Sequence, residues 1–145
     1  LIDAFRVHYP PRVFRSVWAV LDELADAGIM CAPEEVFREL QARDDDLLKW
    51  GKAHRGMFHP LDEAVQLRAA DVLARYPALI DVDAPGPAAA DPYVIALAEI
   101  EGCAVVASEK PTGNPAKPHI PDACKGLGVA CLDLVGMFER ENRVI

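Results

Sequence analysis

Cys103-Ala104-Val105-Val106-Ala107-Ser108-Glu109 is the stretch on which the fold turns. Its first part is a short, unbroken apolar run rich in small and β-branched residues, the pattern of a strand covered on both faces. Gly102 precedes it and closes a helix that opens at Asp91-Pro92 and runs to about Glu101. Val129-Ala130-Cys131-Leu132 repeats the buried-strand pattern before a final helix from Leu134 to Arg143. Toward the N-terminus, Ile29-Met30-Cys31-Ala32 reads as a short buried strand or an extended entry to the next helix. Buried strands alternating with helices predict an α/β architecture, a parallel sheet flanked by helices. Two or three strands make a poor sheet, so a further strand is expected ahead of Leu1.

The helices follow from periodicity. Phe14, Trp18, Leu21 and Leu24 recur at spacings of three and four, with Gly28 as a stop. Pro33 suits the first turn of a second helix, with Glu34 and Glu35 at the positive end of its dipole and Val36, Phe37 and Leu40 facing inward. Leu47, Leu48 and Trp50 predict a helical piece broken by Gly51, Gly56 and Pro60. Val65, Leu67, Val72, Leu73 and Tyr76 mark another helix, closed by Pro77. Residues 81–90, with Pro85, Gly86 and Pro87, read as a loop, as does the Pro-rich segment from Lys110 to Pro121.

The chain has 145 residues, 52% of them hydrophobic, which suits a single domain spanning 1–145 with one core and excludes a disordered chain. Every apolar run is interrupted before the ~18–20 residues of a membrane span. No secretory signal pattern is visible. The chain begins Leu1-Ile2-Asp3 without a Met, and residues upstream are expected. The net charge of −8 argues against a protein that coats nucleic acid, though a carboxylate cluster that recruits cations could still form a small nucleic-acid site. Cys31, Cys103, Cys124 and Cys131 have no CxxC spacing, so reduced, buried thiols in a cytoplasmic protein are the expectation.

The acids carry the chemical information. Glu109 directly follows a strand, Asp91 opens the helix leading into it, and Glu39 sits on the second helix near its apolar face. Open parallel sheets place ligands at the carboxyl ends of their strands. Carboxylates converging there repel one another unless protonated or neutralised, and Mg²⁺ or Mn²⁺ would relieve that repulsion. Each acid also has a plainer reading: Asp91 as an N-cap, Glu39 as a solvated helix residue, Glu109 as a strand-end charge. Asp44-Asp45-Asp46 reads as a solvated charge run. His8, His54, His59 and His119 complete no ligand set and read as surface histidines. Lys49, Lys52, His54 and Arg55 around Trp50 could grip single-stranded RNA or form a solvated face with a half-buried Trp. There is no phosphate-binding glycine loop and no nucleophile elbow.

Three segments, in order, resemble the PIN-domain ribonucleases: Pro33-Glu34-Glu35-Val36-Phe37-Arg38-Glu39-Leu40, Asp91-Pro92-Tyr93-Val94-Ile95-Ala96-Leu97-Ala98 and Val105-Val106-Ala107-Ser108-Glu109. The whole chain is similar to a VapC-like branch that also carries Tyr-Pro-Pro, here Tyr9-Pro10-Pro11, and Ile-Pro-Asp, here Ile120-Pro121-Asp122. The resemblance implies a Rossmann-like PIN fold and an endoribonuclease that cleaves RNA with Mg²⁺ or Mn²⁺. It implies the toxin half of a toxin–antitoxin pair, with an antitoxin as partner and a homodimer as a plausible assembly. By position, Glu39, Asp91 and Glu109 match the second, third and fourth acids of the family, and Asp122 is a possible further metal ligand. The family's first acid ends a strand upstream of the segment that here is Leu1-Ile2-Asp3-Ala4, so neither it nor its strand has a counterpart in this sequence. The alternative expectation is therefore a catalytically silent PIN-like binding or regulatory module. A phosphatase or a DNA nuclease on the same scaffold is a third.

Overall fold

The computed structural model describes residues 1–43, 46–80 and 90–145. Asp44 and Asp45 of the acidic run, and nearly all of the expected 81–90 loop, lie outside the described residues.

After a π-helical turn at Ala4–His8, α1 spans Arg15–Asp26 and buries Trp18, Leu21 and Leu24 as their spacing predicts. Gly28, at φ +68°, takes the left-handed turn that ends it. The next strand is shorter and later than its apolar run suggests. β1 is Ala32–Pro33, so Pro33 is extended and flanks α2 (Glu34–Gln41) instead of lying in its first turn. α3 (Asp46–Ala53) runs straight through Gly51. A Cβ on Gly51 would stand 2.9 Å from Leu40 Cδ1, so this glycine permits the close approach of α2 and α3 and breaks nothing.

β2 (Phe58–His59) follows a 3₁₀ turn and pairs parallel with β1, Ala32 opposite Phe58. α4 (Glu63–Arg75) begins at Asp62, whose side chain accepts from Val65 N–H at 2.9 Å. Its inward face is Val65, Ala69 and Val72, while Leu67 is 62% exposed and lies off that face. α4 packs along α5 (Asp91–Glu101), and Arg68 braces the pair with two hydrogen bonds to Glu99, at 2.6 and 2.9 Å. β3 is Val105–Val106; β4 is Cys131–Leu132, parallel to it. Between them lies α6 (Ile120–Leu127), which the Pro-rich reading of the segment before it conceals because Pro121 sits in its first turn. α7 (Leu134–Arg140) closes the chain.

The result is a mixed α/β structure, mostly helical, with short parallel strands. The described strands make two separate two-stranded sheets, β1-β2 and β3-β4, and not one continuous sheet. An aromatic-rich core gathers α1, α2, α3 and α7. A second core of smaller residues, including Ile95, Ala98, Val105, Ala123 and Cys124, joins α5, α6 and β3. α5 touches both β1 and β3, and so ties the two sheets together. Among the described residues no helix is long and apolar enough to cross a membrane.

Candidate active site

Glu39, Asp91 and Glu109 come from α2, the start of α5 and the loop after β3. They line one cavity of about 380 Å³ between the two sheets. Glu39 is half-buried, one position before the fully buried Leu40, and its Oε1 accepts a 3.4 Å hydrogen bond from Ala90 N–H. That bond meets the start of α5 from 51 residues away. Asp91 is consequently free of the capping role its Asp-Pro context suggests. Ala90 occupies the N-cap position, and Asp91 is the first helical residue. Glu109 is exposed at the rim, where its Oε2 accepts from Ile120 N–H at 3.1 Å and fastens the far end of the Pro-rich loop.

The electrostatics separate Glu39 and Asp91 from ordinary surface carboxylates. Burial raises the pKa of Glu39, and the charge of Asp91 adds to the effect, while the Ala90 bond and Arg43 oppose it. Burial pushes Asp91 up to about 6, with Glu109 adding and His119 opposing. Among the described residues none of the three acids forms an ion pair with Lys, Arg or His. Glu39 and Asp91 are oxygen donors in partly dry surroundings, where Arg43 and His119 only partly offset the cost of ionising them.

Asp122 belongs to a different structure. It is the third residue of α6, and its oxygens accept from the N–H groups of Thr112, Gly113 and His119 at 2.9, 3.0 and 2.9 Å. The Thr112 hydroxyl lies 3.2 Å from the same carboxylate. These donors hold it down at about pKa 2. Asp122 does not line the cavity; it ties the loop before α6 to the helix start. Asp3 does line the cavity, together with Leu1.

Hard-oxygen donors of this kind suit Mg²⁺, which keeps several waters and takes only one or two carboxylates from a protein. The Glu39–Asp91 and Asp91–Glu109 pairs are right in donor type. Among the described residues, however, no three His, Cys, Asp or Glu side chains form a group that could hold a metal ion directly.

A family model described as Domain of unknown function (DUF4411) matches residues 1–145. The chain belongs to the DUF4411 family. No curated protein and no solved structure matches it.

Two features of this DUF4411 chain escape its sequence. His54 is not a surface histidine: its side chain is 10% exposed, with Nδ1 2.9 Å from Asp26 and Nε2 3.0 Å from Asp22. Trp50 Nε1 donates to the same Asp22 at 2.7 Å, Arg55 bonds Glu34 at 2.6 and 2.7 Å, and Lys49 bonds Asp46 at 2.7 Å. The basic-aromatic patch is thus largely a brace between α1, α2 and α3, in which Lys49, His54 and Arg55 each meet an acid. No linear spacing announces it, because its partners lie 21–32 residues apart except for Lys49 and Asp46. The cysteines also pair off. Burial pushes the Cys31 thiol up to about 11 with Cys103 adding to the effect, and the Cys124 thiol up to about 12 with Cys131 adding.

Proposed function

We propose that this DUF4411 chain is a divalent-metal-dependent endoribonuclease with a Rossmann-like PIN fold, acting as the toxin of a toxin–antitoxin pair. The observation that carries this reading is the meeting of Glu39, Asp91 and Glu109 in one cavity, with Asp91 pushed up to about 6 by burial and by Glu109. Two half-buried carboxylates that repel each other are costly to ionise, and a dication would relieve that cost. The resemblance of their three segments to the PIN-domain ribonucleases supplies the reaction class. Bound Mg²⁺ or Mn²⁺ supplies a Lewis acid toward a phosphate oxygen and a water of lowered pKa.

The chain's own residues have distinct roles. Asp91 and Glu39 hold the ion as oxygen donors, and Glu109 shares the field from the rim. The Glu39–Ala90 bond fixes Asp91 relative to α2. Asp122 fixes the loop from Thr112 to His119 that borders the rim, and acts as a positioning residue, not a ligand. The cytoplasmic setting, the antitoxin and the homodimer belong to the same proposal and rest on the resemblance.

The second reading, a silent PIN-like binding module, is favoured by the lack of a ready three-ligand group among the described residues. Cleavage of mixed-sequence single-stranded RNA with Mg²⁺ or Mn²⁺, by this chain and by its folded Asp91→Asn variant, separates the two. Metal-dependent cleavage lost in the variant supports the nuclease. RNA binding without cleavage at any metal concentration supports the module.

A further inference from the structure

In the patch around Trp50, the cations Lys49, His54 and Arg55 each meet an acid. The Pro-rich loop ahead of α6 is different. From Lys110 to Lys125 the chain carries three lysines and one carboxylate, Asp122. That carboxylate is taken up inside the loop by the N–H groups of Thr112, Gly113 and His119. Lys110 and Lys117 are exposed, and neither forms an ion pair among the described residues. In a chain of net charge −8, the segment is a local reversal of sign.

The loop is also held in one shape. The Thr112 hydroxyl donates to the Lys117 carbonyl at 2.9 Å and accepts from Asn114 N–H at 3.0 Å. Asn114 Oδ1 accepts from Ala116 N–H, and the Asn114 carbonyl accepts from Lys117 N–H, both at 3.0 Å. His119 Nδ1 donates to the Lys110 carbonyl at 2.8 Å, because a carbonyl oxygen only accepts. Pro111, Pro115, Pro118 and Pro121 fix further dihedrals. The position of the loop follows from Glu109 and Ile120, which both line the cavity and join the two ends of the loop by their 3.1 Å bond. Lys110 and His119 are the residues next to that bond, so the loop borders the mouth of the acid cavity. His119 is near enough to Asp91 to oppose the rise in its pKa that burial and Glu109 impose.

We propose that Lys110 and Lys117 form a docking surface for the phosphates of single-stranded RNA next to the one that enters the cavity. The choice of RNA rests on the nuclease reading; the charge and order of the surface do not. An acidic cavity in an acidic protein repels a polyanion, and two ammonium groups at its border supply the attraction that the cavity lacks. Lysine meets a phosphate as a point charge and reads no base, so the surface positions the strand without selecting its sequence. Order in the free loop adds affinity, because little freedom is lost on binding. His119 is a positioning residue here, holding the backbone of Lys110.

The test measures binding of labelled mixed-sequence single-stranded RNA in Mg²⁺ across a salt series, with every protein in the Asp91→Asn background to suppress cleavage. Lys110→Gln/Lys117→Gln is compared with Arg12→Gln/Lys52→Gln, which removes two exposed positive charges elsewhere. The loop pair is expected to raise Kd about tenfold and to flatten the slope of log K against log salt by about 1.4, while the other pair changes Kd by less than about twofold. With Asp91 restored, the loop pair should raise KM and leave kcat within about twofold. Equal losses in the two pairs overturn the proposal, because net charge then accounts for both. So does a Kd that the loop pair leaves unchanged, or poly-glutamate binding more tightly than the RNA, which makes the surface a site for an acidic protein segment. Loop-dependent RNA binding without cleavage by the wild type supports the docking surface and removes the nuclease, so the two readings fail separately.

Discussion

Two helices in this protein begin with an aspartate beside a proline, and the two carboxylates live in opposite conditions. Asp91 opens α5, is half-buried, receives no capping bond and is pushed up to about 6. Asp122, in the first turn of α6, collects three backbone N–H donors and is held at about 2. Both profit from a helix N-terminus, so the dipole does not separate them. Burial without donors raises the one, and donors that outweigh burial lower the other. An acid that the fold leaves costly to ionise is a candidate for work; one that the fold satisfies is a fastener.

The sharpest way to break that comparison is to remove each charge in turn. Asp91→Asn is expected to reduce metal-dependent RNA cleavage by about 10²–10⁴-fold with folding intact. Asp122→Asn should leave most activity, and a loss equal to that of Asp91→Asn would end the distinction. The next largest effect falls on the loop. Asp122→Ala is expected to speed amide exchange of Thr112, Gly113 and His119 roughly tenfold, read by hydrogen exchange, with little change in α5.

Stability should respond with opposite signs. The folded pKa of Asp91 lies above the usual carboxylate value near 4, so the folded state binds more protons between about pH 4 and 6, and stability falls as pH rises through that window. Above about pH 6 the cost is complete, of order 2 kcal/mol, and Asp91→Asn should raise Tm by about 5 °C at pH 7. Asp122 reverses the sign: its contribution is present above about pH 4 and is lost as pH falls toward 2. Thermal melts between pH 2 and 8 of the wild type and both Asn variants check the two curves. The smallest effect expected is from Glu39→Gln, which keeps the acceptor for Ala90 N–H and relieves one repulsion. Tm should rise by about 2 °C, and the gain should shrink in the Asp91→Asn background because the charges are coupled. Additive shifts would show that the two acids do not sense each other.

Much of the fold is legible in the sequence. The periods of Trp18, Leu21 and Leu24, the glycine stops at 28 and 102, and the apolar runs at 105 and 131 yield α1, α5, β3 and β4, although β3 exposes Val106 and β4 is only half-buried where the runs read as covered on both faces. β2 and α6 are hidden: the first is two residues beside a proline, and the second opens with one. At the site, Glu39, Asp91 and Glu109 can be selected from their positions at the ends of elements. Their order along the chain does not say that they share a cavity, nor that Asp122 stays outside it.

By itself the amino-acid sequence determined which segments bury an apolar face, and so which ends of helices and strands carry acids. Tertiary structure decided what those acids experience. A pKa depends on donors and charges a few ångströms away, and here these come from residues as distant as Ala90 from Glu39 or Ile120 from Glu109. The same holds for His54 between Asp22 and Asp26, and for the cavity between β1 and β3, whose walls are separated by more than seventy residues of chain. Through-space proximity sets electrostatics and strand pairing, and only the fold specifies it.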